Sequence, residues 1–168
     1  MSEKTITVQE EHRAFQPYLE EMDVLARTMD SIPAHELSAR LARLHEFLAH
    51  QLMPHAVAEG RILSPLVSDE QGAPMLARRM TLCHAQMARL IDELDRLRPG
   101  VLGEGMDASL ATGLQRVLYG IHALLSAHLL EAEDELEPLL EARLTPYERE
   151  VLFERVDRYA REMRDLYE

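Results

Sequence analysis

The chain has 168 residues, of which 46% are apolar and 29% charged, and it contains only 7 glycines and 8 prolines. This composition is typical of a single helical domain with a real core, because straight-chain residues lose little rotamer freedom in a helix. The net charge of −12 argues against nucleic acid as a partner, since phosphate binding requires clustered Lys and Arg. No apolar run approaches the roughly 20 residues of a membrane span, there is no signal pattern, and the lone Cys83 excludes an internal disulfide. We therefore expect a cytoplasmic protein; the sequence does not predict its oligomeric state.

The first two predicted helices form a hairpin. Thr7 and Glu10 form a predicted capping box at the start of helix 1. The stripe of helix 1 includes His12 and comprises Val8, His12, Phe15, Leu19, Met22, Leu25 and Met29. The short turn at Ser31–Pro33 predicts that helix 2 runs antiparallel to helix 1.

Helix 2 carries polar residues on its apolar stripe. The stripe is Leu37, Leu41, Leu44, Leu48, Leu52, His55, Glu59 and Ile62, in steps of three or four residues. Pro65 and the polar stretch of residues 68–72 are expected to end the helix. Pro54 lies directly before His55, where it predicts either a simple kink or a local bulge that aims the histidine.

Three more helices complete the prediction. Helix 3 begins near Pro74 and ends before Pro99. Helix 4 follows a glycine-containing loop, with Ser109 as its expected cap and Pro138 near its end. Their stripes are Met80, His84, Met87, Ile91 and Leu94 in helix 3, and Leu114, Leu118, Ile121, Leu125, His128, Ala132 and Leu136 in helix 4.

The last helix has a complete start signal in Thr145, Pro146 and Glu148 and is predicted over residues 146–166 as a solvated outer helix. Together the five helices predict an all-α fold: an up-down-up-down antiparallel four-helix bundle over about residues 8–140, with an additional C-terminal helix. The whole chain, residues 1–168, is expected to form a single domain.

Four of the eight histidines fall on core stripes, one from each bundle helix: His12, His55, His84 and His128. Counting residues from the connecting loops, at about 1.5 Å of rise per residue, places them at similar levels in the bundle. Glu59 follows His55 by four residues, so both side chains leave the same helix face. An unpaired buried polar group costs roughly 2–7 kcal/mol, and a divalent metal removes this cost because imidazole and carboxylate are its natural ligands. The pattern therefore predicts a metal site inside the bundle.

Helix 4 leaves the choice of a second carboxylate open. Ala132 occupies the position four residues after His128, whereas Glu131 and Glu133 stand three and five residues after it. Ideal helix geometry favours Glu131, because a spacing of three lies nearer the face of the histidine. His122, next to the stripe residue Ile121, is a further candidate for a supporting or replacement ligand.

These residues resemble the hemerythrin family, also called the HHE cation-binding domain. The resemblance covers residues 8–140 and rests on a histidine in helix 1, His-x3-Glu in helix 2, a histidine in helix 3, and a histidine followed by a carboxylate in helix 4. It implies two iron ions with an oxo or hydroxo bridge. The implied ligands are His12, His55, Glu59, His84, His128 and Glu133, with both glutamates bridging, since a spacing of five is known in the family.

The sequence departs from oxygen-carrying hemerythrins in helix 3. Those proteins have a second histidine four residues from the first, whereas this chain has Met80 and Ala88 there. Fewer protein ligands leave more open coordination positions, which favours turnover of a small oxidant such as dioxygen, peroxide or nitric oxide over reversible storage. An oxygen or iron sensor or store without turnover, and a metal-free helical interaction module, remain alternatives. A ferritin-like site is excluded, because it needs Glu-x-x-His on two helices and no histidine here has Glu three residues before it.

Overall fold

The computed structural model describes residues 8–68, 73–103 and 106–166, with side chains from His12 onward. The predicted capping box of Thr7 and Glu10 lies outside the described residues and side chains. The described helices are α1 (Val8–Thr28), α2 (Ala34–Phe47), α3 (Met53–Ser68), α4 (Pro74–Leu97), α5 (Gly100–Gly103), α6 (Ala108–Glu131), α7 (Glu137–Arg143) and α8 (Pro146–Asp165). None of them is both long and apolar enough to cross a bilayer.

Four long antiparallel helices form a bundle, as the sequence predicts. The first is α1, the second is α2 continued by α3, the third is α4, and the fourth is α6 continued by α7. The C-terminal helix α8 packs along α3 and also contacts α7. Its capping box is present, because the hydroxyl of Thr145 accepts from the backbone N–H of Glu148 while the carboxylate of Glu148 accepts from the backbone N–H of Thr145.

Two predicted helix boundaries are wrong, and the structure decides between the two end signals predicted for helix 2. Pro65 lies inside α3, which ends at Ser68. The helix passes the proline because Val67 is fully buried and its packing offsets the lost hydrogen bond. The fourth bundle helix does not stop at Pro138 but continues through α7 to Arg143. The N-cap of α6 is Asp107 rather than Ser109, since the carboxylate of Asp107 accepts from the backbone N–H of Leu110 at 2.7 Å.

A π turn joins the two parts of both composite helices. The first π turn, Leu48–Leu52, lies between α2 and α3, and the second, Ala132–Leu136, lies between α6 and α7. In each, the residue before a proline donates its N–H five residues back: Met53 to Leu48 and Glu137 to Ala132. A proline cannot donate and its ring clashes with the carbonyl four residues earlier, so the wider turn accommodates Pro54 and Pro138 without ending the helix.

The buried residues form two apolar cores along the bundle. The first core lies between α1, α2, α4 and α6 and includes Phe15, Leu52, Met87 and Leu125. The second lies between α3, α4, α7 and α8, with its members Ala58, Leu63, Val67, Leu76, Ala77, Met80, Ala132, Leu136, Leu140, Leu152, Val156 and Ala160. The four buried histidines of the described residues lie where the two cores meet. The polar layer therefore separates two apolar regions, and α8 completes the second region with its buried stripe.

Candidate metal centre

The site consists of five buried polar residues from the four bundle helices. His12 comes from α1, His55 and Glu59 from α3, His84 from α4 and His128 from α6. Their exposed fractions are 5%, 2%, 0%, 8% and 2% in that order. The helical periodicity alone places each on a core-facing stripe, and the structure brings all five together.

The carboxylate of Glu59 lies at the centre of this cluster. Its Oε1 is 3.1 Å from Nε2 of His55 and 3.6 Å from Nε2 of His12. Its Oε2 is 3.1 Å from Nε2 of His128 and 3.4 Å from Nε2 of His84. The two oxygens thus divide the histidines into two pairs, one on each side of the carboxylate.

The imidazole rings pack against one another across the bundle. The ring centroids of His12 and His55 are 5.4 Å apart, those of His84 and His128 are 4.9 Å apart, and those of His12 and His128 are 5.8 Å apart. Phe15 covers the first pair, with its ring centroid 5.4 Å from that of His55 and 5.9 Å from that of His12. An apolar ring at this place excludes water from one end of the cluster.

Helices α4 and α6, which carry the second pair, pack closely against each other. A Cβ atom added at Gly120 of α6 would meet Cδ1 of Leu90 of α4 at 2.8 Å. An ion pair between Arg116 and Glu93 also joins these helices.

The charge of Glu59 fits a site for a cation. Burial by itself would raise the pKa of Glu59, but the imidazoles of His55, His128 and His12 outweigh burial and hold that pKa well below its usual range. Neither carboxylate oxygen accepts a hydrogen bond of good geometry, although a buried ionised carboxylate requires compensation.

The donor atoms can hold a metal ion. One ligand atom from each of His12, His55, Glu59 and His128 lies within 4.8 Å of the others, and imidazole and carboxylate suit iron, zinc or manganese. His84 lies outside this tightest group but contacts the same carboxylate. The cluster thus supplies a set of donor atoms that suits a metal ion.

The first π turn ends three residues before His55. It ends at Leu52, and α3 then begins with Met53 and the buried Pro54. Of the two interpretations of Pro54, the structure therefore shows a bulge rather than a simple kink. A π turn inserts one residue into the helix. His55 and Glu59 therefore leave the helix axis in a different direction from the one that the apolar stripe of α2 would give them.

Neither candidate for the second carboxylate joins the buried cluster. Ala132 is buried at the start of the second π turn, whereas Glu133 is exposed in a surface pocket of about 700 Å³ that His12 also lines. The carboxylate of Glu131 pairs with the guanidinium of Arg79, which also contacts Glu135 at 2.6 Å. Arg79 therefore engages Glu131 at the surface, an interaction that no sequence spacing indicates.

The remaining candidates are placed as follows. His122 is half-buried and lines the same surface pocket as His12 and Glu133, so it lies near the site without joining the cluster. Met80, one turn before His84, is buried in the second core. Ala88, one turn after His84, lines a separate pocket, so no second α4 ligand is available.

Comparison with protein-family models places the chain in a known family. The model of the hemerythrin HHE cation-binding domain matches residues 5–140. The chain belongs to the hemerythrin HHE family. The matched region contains all five cluster residues and ends before α8, which begins at Pro146.

Membership of the hemerythrin HHE family confirms the predicted resemblance and supports cation binding as the role of the buried cluster. Comparisons with curated proteins and with solved structures found no significant match. The identity of the metal and the chemistry at the site must therefore be argued from the residues of this hemerythrin-like chain.

Proposed function

We propose that this chain is a non-haem di-iron protein that binds or reduces a small oxidant, dioxygen, peroxide or nitric oxide, inside its bundle. The observation that carries the proposal is the position of Glu59, whose two oxygens each face one pair of histidines. A carboxylate bound through both oxygens joins two metal ions, and each pair of imidazoles supplies further ligands to one of them.

The proposed ligands follow from these contacts. His12 and His55 hold one ion, His84 and His128 hold the other, and Glu59 bridges the two. Glu133 is proposed as a second bridging ligand, which requires a rearrangement of the second π turn because its side chain is exposed in the structure. When bound, two irons with an oxo or hydroxo bridge supply one-electron redox chemistry and open positions for the oxidant.

The surrounding residues support reaction rather than storage. The apolar ring of Phe15 packs against His12 and His55, and a drier environment strengthens electrostatic interactions within the cluster. The chain offers only four buried histidines among its described residues, so the ions retain positions that protein ligands do not fill. Open positions favour turnover of a small oxidant.

Two alternatives concern the same cluster. A single ion held by His12, His55, Glu59 and His128 is consistent with their mutual distances, and such a site suits a sensor or a store. A metal-free interaction module would instead leave Glu59 compensated by the surrounding imidazoles alone.

The deciding experiment is elemental analysis of untagged protein, purified as isolated and after anaerobic loading with Fe(II). We expect about two irons per chain, a number that a carboxylate-bridged pair requires, and consumption of peroxide or nitric oxide by the loaded protein. One iron, or zinc, supports the sensor or store. No bound metal under either condition contradicts the proposal.

A further inference from the structure

A small pocket lies between α3 and α4, and His84 of the candidate metal centre is one of the residues that line it. Its volume is about 390 Å³. The residues that line it are Met53, Ala56, Val57 and Gly60 from α3 and Thr81, His84 and Ala85 from α4. We call this pocket the α3–α4 passage.

His84 is the point at which the α3–α4 passage meets the cluster. With 8% of its surface exposed, it is the most accessible of the four cluster histidines. Its Nε2 is 3.4 Å from Oε2 of Glu59. A molecule that enters the passage and contacts His84 is therefore one side chain away from the central carboxylate.

The walls of the passage are made of small residues. Ala56, Gly60 and Ala85 stand on facing helices along it. A Cβ atom added at Gly60 would meet no atom within 4 Å, so packing does not require glycine there. Glycine is also the least favourable residue after proline in a helix interior. Because Gly60 has no side chain and lines the same pocket as His84, it leaves the passage open.

The chemistry of the passage differs from that of the larger pocket at His12. The larger pocket is lined by charged side chains, among them Arg13, Glu20 and Glu133. The α3–α4 passage has no charged lining residue, and the hydroxyl of Thr81 is already used, since it donates to the carbonyl of Ala77 at 2.9 Å. Its lining suits a small molecule without charge.

We propose that the α3–α4 passage is the route by which small uncharged molecules reach the metal centre, on its His84 side. The identity of these molecules as oxidants rests on the proposed function, but the route itself is a property of the protein.

The first test uses the metal-free protein and needs no activity. Diethyl pyrocarbonate, a small uncharged reagent that modifies histidine, labels the protein, and peptide mass spectrometry gives the rate for each histidine. We expect Gly60→Leu and Ala85→Leu each to slow labelling of His84 by roughly tenfold, equivalent to about 1.4 kcal/mol of added barrier. Labelling of His122, a half-buried histidine that lines the larger pocket, should not change.

Gly103→Leu is the matched control. Its added Cβ would also meet no atom within 4 Å, and it lies in α5, away from the passage. Unchanged labelling of His84 in both passage variants, or equal slowing of His122 and His84, overturns the proposal. Circular dichroism and the His122 rate show whether each variant keeps its fold, and the two passage variants approach the same opening from different helices.

The second test uses the iron-loaded protein. At equal iron content, Gly60→Leu should slow the reaction with hydrogen peroxide by a factor similar to that for His84 labelling, whereas Gly103→Leu should not. Slower labelling with an unchanged peroxide reaction overturns the proposal, because the molecule must then enter elsewhere. If the metal content shows that the chain binds no iron, the proposed function is contradicted. The labelling of His84 in the metal-free protein still tests the route.

Discussion

At the scale of single residues, Glu59 determines the properties of the site. It is completely buried and is surrounded by imidazoles from all four bundle helices. A neutral residue of the same shape would keep the packing and remove the charge that both pairs of histidines face. Replacing Glu59, Glu131 and Glu133 one at a time therefore distinguishes the bridging ligand from the neighbouring carboxylates.

We expect Glu59→Gln to lose iron binding at both positions. Loss of a supporting partner alone typically lowers metal affinity about 10–100-fold, and loss of the bridging ligand should exceed this. Glu133→Gln should weaken only the second carboxylate bridge and so lower affinity by about tenfold. Titration with Fe(II) under anaerobic conditions, followed by elemental analysis, measures both.

Glu131→Gln is the control for this series, because its carboxylate pairs with Arg79 at the surface. It should leave the iron content unchanged. Iron loss in Glu131→Gln with normal binding in Glu133→Gln would reverse the assignment of the second carboxylate. Normal binding in Glu59→Gln would contradict the central role of that residue.

At the scale of elements, the helix ends and π turns determine where the stripes point. The C-terminal helix α8 illustrates the local contribution, since its capping box involves only Thr145 and Glu148. Hydrogen bonds from the backbone N–H and the hydroxyl of Thr145 hold the pKa of Glu148 below its usual value of 4.5. A lowered pKa in the folded state means that this cap stabilises the protein fully above pH 4.5 and loses its effect as the pH falls through the folded-state pKa.

We expect Glu148→Ala to lower the unfolding temperature at pH 7, because the backbone N–H of Thr145 loses its acceptor. The difference from the unchanged protein should shrink as the pH falls below 4.5, since a protonated Glu148 accepts less strongly. Thermal unfolding followed by circular dichroism between pH 3 and pH 7 measures it. Glu150→Ala, an exposed position two residues further along the same helix, is the matched control, and a difference independent of pH would contradict the assigned role of the carboxylate.

At the scale of the whole molecule, the polar layer between the two apolar cores links metal binding to folding. The unfolded chain does not hold His12, Glu59 and His128 within 4.8 Å of one another, so an ion that binds them binds the folded state preferentially. Metal binding should therefore appear as a gain in global stability, and not only as a change at the site.

We expect Fe(II) at a free concentration about a thousand times its dissociation constant to raise the free energy of unfolding by about 4 kcal/mol. For a domain of this size the unfolding temperature should rise by roughly 10 °C. Anaerobic differential scanning calorimetry, with and without a chelator, measures the change. Glu59→Gln should not respond to Fe(II), and an equal response in that variant, or none in the unchanged protein, would contradict the link.

The sequence by itself determined the helical class, the order of the bundle helices, the capping box of α8 and the inward position of the five cluster residues. These features depend on local geometry, because the period of 3.6 residues places side chains on one face and capping involves residues three apart. The motif of histidines and Glu59 also sufficed to indicate the hemerythrin HHE family.

Only the tertiary structure decided how far the helices run and how the cluster is arranged. Packing of Val67 extends α3 past Pro65, and the second π turn carries the fourth bundle helix past Pro138. The division of the histidines by Glu59, the exposure of Glu133 and the opening at Gly60 arise where separate helices meet. Their spacing depends on packing between residues distant in the sequence, which the period of a single helix does not contain.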